Sequence, residues 1–131
     1  VGAFLNVHEG PQRIAPTGVD EPMSIGMIVS NEPGYYESGW GGVRLENLYV
    51  VAVDDTLPDH PDGRRWLRLD TLTLIPFDTS LIDWSQMTES EKIWLGEYHQ
   101  EVWDKISRML GDDDRRWLLE KCQIPGVSIS E

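Results

Sequence analysis

The sequence predicts an α+β fold in which an antiparallel sheet is followed by C-terminal helices. Apolar segments with strand character occupy residues 1–75, and helical periodicity begins near Thr88. No strand–helix–strand alternation links the two parts, which disfavours a parallel sheet. With 131 residues, 40% of them hydrophobic, the chain is long enough to form one compact domain or a large part of one.

Turn residues divide the first part of the chain into short segments. Residues 1–8 predict an extended segment, and the Pro- and Gly-containing residues 12–23 predict a loop. The predicted strands, each with apolar or alternating character, are residues 27–32, 43–53 and 66–75. Residues 33–42 contain four glycines and are long for a tight hairpin, so they predict a shaped loop.

The second part of the chain predicts two helices. Thr88 and Glu91 have the spacing of a capping box, in which each side chain binds a free backbone N–H. The apolar positions that follow at helical spacing are Leu95, Tyr98, Val102, Ile106 and Met109, with Trp94 and Trp103 widening the stripe. Gly111 predicts the end of this helix, and residues 113–121 predict a second one.

Composition excludes some classes of function. Eleven basic and 23 acidic residues give a formal charge of −12, so a nucleic-acid partner is not expected. No apolar run is long enough to span a bilayer, so no membrane partner is expected either. The single Cys122 cannot form an internal disulfide, and its apolar neighbours predict a small buried side chain rather than a catalytic thiol. One cysteine is compatible with a cytoplasmic location.

Two carboxylates interrupt the apolar strands. Glu32 ends one predicted strand and Glu46 lies inside the next, where a charge is costly unless it is paired or bound to a cation. If the two strands pair antiparallel, these side chains can approach each other across the sheet. Oxygen ligands suit hard divalent cations, and two ions roughly 3.5–4 Å apart favour a bridging carboxylate. The pair therefore indicates a candidate metal site.

A simpler arrangement is open at this stage. Glu46 could form an ion pair with Arg44, or Glu32 could accept backbone hydrogen bonds beside Pro33.

The spacing of the three histidines does not by itself indicate a metal site. His8 follows the first extended segment and is a candidate for metal binding or proton transfer, whereas His60 and His99 are expected to be structural or exposed.

Several motifs in order resemble one family. VGAFLNVHEGP (residues 1–11), SNEPGYY (30–36) and GVRLEN (42–47) resemble successive motifs of aminopeptidase P enzymes. LTLIPFD (72–78) and WLGEYH (94–99) are similar to the C-terminal extension of the larger, three-domain members. The resemblance covers nearly the whole chain, and three ordered motifs with a matching tail are more specific than any one of them.

The resemblance implies a pita-bread metallopeptidase. Residues 1–76 would then be the C-terminal half of the catalytic domain, and residues 77–131 a helical C-terminal extension. The implied reaction is removal of the N-terminal residue from a peptide whose second residue is proline. The family uses two divalent ions, manganese in most members and zinc in some. Larger members are often dimers, so a homodimer is the oligomeric state that the resemblance suggests for the intact enzyme.

The resemblance also implies roles for four residues. Glu32 and Glu46 match two of five metal ligands; the counterpart of Glu32 also activates the attacking water, and the counterpart of Glu46 bridges both ions. His8 matches a catalytic histidine that contacts substrate and aids proton transfer. Arg44 matches an arginine that orients the bridging carboxylate.

The remaining ligands do not map onto this sequence. One histidine and two aspartates would lie upstream of Val1, so the chain is expected to be a fragment that is inactive alone and that binds metal weakly or not at all. Two alternatives stay open. The chain could be a non-catalytic fragment or docking module, or it could belong to another pita-bread peptidase such as prolidase.

Overall fold

The strands come first in the chain and the helices last. A computed structural model describes residues 2, 6–17, 21–58 and 60–130. It contains two compact units, Val1–Thr73 and Leu74–Glu131, a division three residues before the expected domain boundary. The described strands lie in the first unit and the described helices in the second, which confirms the predicted element order. Within the described ranges, no helix combines the length and the apolar character needed to cross a membrane.

Among the residues that the structure describes, five strands form two antiparallel sheets. They are β1 (Ile28–Asn31), β2 (Gly34–Glu37), β3 (Gly41–Arg44), β4 (Asn47–Val53) and β5 (Leu67–Thr71). One sheet has the order β1–β4–β5, and β2 pairs with β3 in the other. Val29 and Val51 are buried in the three-stranded sheet, as expected for β-branched residues on a covered strand face. Residues 6–17 and 21–27 contain no helix or strand, and most of the predicted extended segment 1–8 lies outside the described residues.

The two sheets share one hairpin register. Ile28 pairs with Val50 and Asn31 with Asn47 in the first sheet, and Gly34 pairs with Arg44 in the second. Position 32 therefore falls opposite position 46 in the short gap between the two ladders. One backbone hydrogen bond joins the two strands within this gap: the Leu45 N–H donates to the Pro33 carbonyl at 3.1 Å.

Two strand predictions were wrong around this gap. Residues 43–53 are not one strand but two, β3 and β4, because Pro33 on the opposite side has no N–H to donate to the ladder. Residues 33–42, predicted as a shaped loop, form most of the β2–β3 hairpin. Gly39 (φ 78°) and Gly41 (φ 140°) adopt backbone conformations that other residues rarely reach, and this allows the hairpin to close.

The capping box at Thr88 is confirmed. Helix α1 (Glu89–Ile106) begins directly after Thr88, whose Oγ1 accepts from the Glu91 N–H at 3.3 Å. The Glu91 carboxylate accepts in turn from the Thr88 N–H at 2.7 Å. Two of the four N–H groups that a helix start leaves free are thereby satisfied.

Removing the cap should weaken the helical unit. We expect Thr88→Ala to lower the free energy of unfolding by about 1 kcal/mol, because the Glu91 N–H loses its acceptor. Urea denaturation followed by far-UV circular dichroism measures this change. The matched control Thr88→Ser keeps the hydroxyl and should unfold like the wild-type chain. Equal stability of the Ala and Ser variants would contradict the capping role.

The helical unit has its own apolar core. Helix α2 (Asp112–Cys122) packs against α1, and the core consists of Leu95, Tyr98, Val102, Trp103, Leu118, Cys122, Ile124 and Ile129. The predicted stripe is confirmed except for Met109, which is 72% exposed, and Trp94, which is 52% exposed. Helix α1 ends at Ile106, and a 3₁₀ turn with fewer residues per turn carries Met109 away from the stripe. Gly111 is the residue before α2 rather than the end of α1.

Cys122 is fully buried, as predicted. Burial raises the pKa of its thiol to about 11, so the thiolate needed for nucleophilic chemistry does not form near neutral pH. The residue therefore acts as a small apolar side chain in the helical core.

His99 is structural, one of the two predicted alternatives. It lies fully buried on α1, where its Nε2 accepts from the Phe77 N–H at 3.1 Å and its Nδ1 lies 2.9 Å from the Cys122 carbonyl oxygen. Because Nε2 accepts, Nδ1 carries the proton and donates to that carbonyl. Burial lowers the pKa of His99, an effect only partly opposed by the bond to Cys122. The neutral ring thus joins the end of α2 to the segment before α1.

Candidate metal centre

A cavity in the strand-containing unit lies beside β1. It has a volume of about 530 Å³ and is lined by residues 7–15 together with Ile28, Val29, Ser30 and Glu32. Two of the residues singled out from the sequence, His8 and Glu32, line this cavity. The cavity therefore lies where sequence analysis places part of a metal site.

Glu32 is held by contacts at both carboxylate oxygens. The Ser30 hydroxyl donates to Oε1 at 2.7 Å, and the Arg44 guanidinium forms an ion pair with Oε2. His8 Nδ1 lies 3.9 Å from Oε1, too far for a direct hydrogen bond. The Glu32 side chain is 22% exposed and the His8 side chain 71% exposed. The carboxylate is thus oriented by its neighbours while the imidazole is open to the cavity.

Arg44 reaches Glu32 across the hairpin with the help of Tyr36. Its Nε donates to the Tyr36 hydroxyl oxygen at 2.7 Å, and its guanidinium carbon lies 5.7 Å from the centre of that ring. A Cβ on Gly42, the cross-strand partner of Tyr36, would meet the ring at 2.2 Å. Because Gly42 has no side chain, the Tyr36 ring can pack directly against the backbone of the neighbouring strand.

Glu46 lies in the gap between β3 and β4. The register of the flanking strands puts it opposite Glu32, and the antiparallel pairing on which their approach depends is present. Residues opposite each other in such a pair have Cβ atoms about 4.5–5.5 Å apart. Glu46 is exposed and is not among the residues that line the cavity. The Arg44–Glu46 ion pair considered from the sequence is not formed, because Arg44 pairs with Glu32.

The described residues alone do not complete a metal site. Across residues 2, 6–17, 21–58 and 60–130, no three His, Cys, Asp or Glu side chains converge as metal ligands. Carboxylate oxygens suit a hard divalent cation, but Glu32, Glu46 and the distant imidazole of His8 are too few ligands to complete its coordination. His60 does not contribute: it pairs with Asp62 and contacts the Trp66 ring edge to face at 5.3 Å.

Sequence reasoning missed Ser30 and Tyr36. A signal for each was present in the spacing. Ser30 precedes Glu32 by two residues, so in a strand both side chains lie on one face. Tyr36 stands opposite a glycine in the same hairpin, an arrangement in which the ring covers the bare backbone. Neither signal was specific enough to be recognised without the strand pairing.

Comparison with known proteins identifies the family. Residues 1–52 match the metallopeptidase family M24, and residues 65–124 match the C-terminal region of peptidase M24. The chain belongs to the metallopeptidase M24 family. This M24 chain is 48% identical over 124 residues to a probable Xaa-Pro aminopeptidase P of Coprinopsis cinerea, covering 90% of this chain and 20% of that protein. It is 47% identical over 120 residues to aminopeptidase P2 of Arabidopsis thaliana, covering 90% of this chain and 17% of the relative.

A solved structure supports the fold of this M24 chain. X-prolyl aminopeptidase from Caenorhabditis elegans, described as a cytosolic enzyme with a di-nuclear active site, matches with a TM-score of 0.79 at 32% identity. The match covers 94% of this chain and 20% of the C. elegans enzyme. The α+β arrangement is therefore the C-terminal portion of the pita-bread fold, as predicted. The chain spans about one-fifth of the length of the relatives that it matches.

Proposed function

We propose that this chain contributes two metal ligands and the residues that orient them to an aminopeptidase that cleaves Xaa-Pro peptides. The observation that carries the proposal is the position of Glu32 opposite Glu46 at the gap in the hairpin, with Arg44 and Ser30 holding Glu32 beside a cavity. The names of the relatives support the reaction, and the di-nuclear site of the C. elegans enzyme supports two ions.

Glu32 and Glu46 would hold the ions through oxygen atoms, together with ligands that the described residues do not supply. The choice of carboxylates fits manganese and other hard divalent cations. When bound, the two ions supply a water of lowered pKa and polarise the scissile carbonyl. Glu46 would be the ligand shared by both ions, the role that its resemblance to the aminopeptidase P motif implies, and its position opposite Glu32 across the hairpin supports its placement in the same site.

The proposed catalytic work of this chain belongs to Glu32 and His8. Glu32 accepts the proton of the attacking water and passes it to the leaving proline nitrogen, as general acid–base catalysis requires. His8, exposed on the cavity wall, donates a hydrogen bond to the substrate carbonyl or to the oxyanion that develops from it. Arg44 fixes one oxygen of Glu32, and this contact replaces the expected one to the bridging carboxylate.

The remaining parts of the proposal concern the whole protein. Residues 1–76 belong to its catalytic domain and residues 77–131 to a helical extension. The substrate is a peptide with proline at its second position, and the enzyme acts in the cytoplasm, where the C. elegans relative is found. A homodimer is its proposed assembly.

The test is Glu46→Gln in the full-length protein. We expect kcat for a Xaa-Pro peptide to fall by at least about 100-fold and the bound manganese to drop below two ions, because an amide bridges two cations poorly. Metal content by elemental analysis and a peptide cleavage assay measure both. The matched control is Glu21→Gln, which changes an exposed carboxylate of the same unit and should leave both values unchanged. Near-normal turnover with two ions bound would refute the bridging role.

The same assay separates the competing functions. Cleavage of a free Xaa-Pro dipeptide without cleavage of longer peptides would favour a prolidase. No cleavage of either by the metal-loaded full-length protein would favour a non-catalytic docking module. The docking module is included as an outcome because no three candidate ligands converge among the described residues.

A further inference from the structure

Ser30 contacts the central carboxylate of the site. Its hydroxyl donates to Glu32 Oε1 at 2.7 Å, a normal distance for an O–H···O hydrogen bond. Oε1 is also the oxygen nearest His8, at 3.9 Å from Nδ1. Ser30 itself lines the cavity together with Glu32 and His8. The serine hydroxyl therefore lies at the side of Glu32 that faces the candidate catalytic histidine.

The backbone around Ser30 is fixed by the sheet. Ser30 is the third residue of β1 and pairs with Leu48 of β4, the central strand of the three-stranded sheet. Glu32 follows two residues later, and side chains two apart on an extended chain lie on the same face. The hydroxyl thus has a defined position from which to hold the carboxylate.

Arg44 alone would leave the carboxylate incompletely oriented. It pairs with Oε2 and belongs to β3, so it acts from the opposite strand. A glutamate side chain has three rotatable bonds, and one ion pair does not define all of them. A second bond to Oε1 from β1 defines the direction of both oxygens.

We propose, building on the function proposed above, that Ser30 is a positioning residue that fixes the Glu32 carboxylate for metal binding and proton transfer. It does so by occupying one lone-pair direction of Oε1 and leaving the other for a metal ion or a proton. Partners of this kind typically change metal affinity or activity 10–100-fold when they are removed.

Three substitutions test this role in the full-length protein. Ser30→Ala removes the hydroxyl. Ser30→Thr and Ser30→Val form a matched pair, since both are β-branched and suit a strand but only threonine keeps the hydroxyl. Ser24→Ala, at an exposed serine of the same unit that does not line the cavity, is the control. Each variant is titrated with Mn²⁺ alone by calorimetry and assayed for kcat and KM with a Xaa-Pro peptide.

We expect the Ala and Val variants to bind Mn²⁺ about tenfold more weakly and to lose kcat by a similar factor, with KM little changed. The Thr variant should retain both values. Wild-type Mn²⁺ affinity in Ser30→Ala and Ser30→Val, or equal losses in the Thr and Val variants, would overturn the proposal. If the wild-type protein binds Mn²⁺ but cleaves no Xaa-Pro peptide, the proposed function fails while the Mn²⁺ titrations still decide the role of Ser30.

Discussion

Replacing Glu32 with Gln in the full-length protein is expected to lower kcat/KM for a Xaa-Pro peptide by about 10³-fold or more. The amide that replaces the carboxylate has the same shape but cannot accept the proton of the attacking water. It is also a poorer ligand for a hard cation. A peptide cleavage assay measures the loss, and elemental analysis of the purified variant separates the loss of a base from the loss of metal.

The fold should survive this substitution. Arg44 loses its partner, but its side chain is 40% exposed and can be solvated, so the cost is on the order of 1 kcal/mol. The matched control is Glu37→Gln, which removes an exposed carboxylate from β2 of the same hairpin, where it accepts from the Tyr35 hydroxyl at 3.1 Å. Full activity in this control and in Glu32→Gln alike would exclude Glu32 from the chemistry.

Local signals predicted the helical unit better than the β2–β3 hairpin. The Thr88 capping box and the apolar stripe on α1 depend on neighbours within four residues, so the sequence alone carries them. The division of residues 43–53 depends on Pro33, which lies on the other strand of the hairpin. A residue that acts across a strand pair cannot be recognised until the register is known.

The partner of Arg44 shows the same limit within the site. In the sequence Arg44 is two residues from Glu46, and the period of a strand favours that pairing. In the register of the hairpin Glu32 lies opposite position 46 and diagonal to Arg44, and Arg44 pairs with Glu32 on the other strand instead of with Glu46. The sequence therefore singled out the charged residues of the candidate site, whereas the pairing of Arg44 with Glu32 required the fold.

His99→Leu should be the most destabilising change in the helical unit among those considered. Leucine leaves the buried Phe77 N–H without an acceptor and the Cys122 carbonyl without its donor. Each unpaired buried group costs roughly 1–3 kcal/mol, so we expect a loss of about 3 kcal/mol in the free energy of unfolding. Urea denaturation followed by far-UV circular dichroism reports on α1 and α2. The control Glu97→Leu places the same residue at an exposed position of α1 and should have little effect.

The difference between wild type and His99→Leu should also depend on pH. Burial lowers the pKa of His99 in the folded chain, whereas in the unfolded chain the pKa is about 6.5. Below that pH the unfolded state binds a proton that the folded state resists, so the wild-type chain loses stability as pH falls through this range. The leucine variant has no such group. The stability difference should therefore be largest above about pH 7.5 and shrink toward about pH 5, and a constant difference would show that His99 titrates equally in both states.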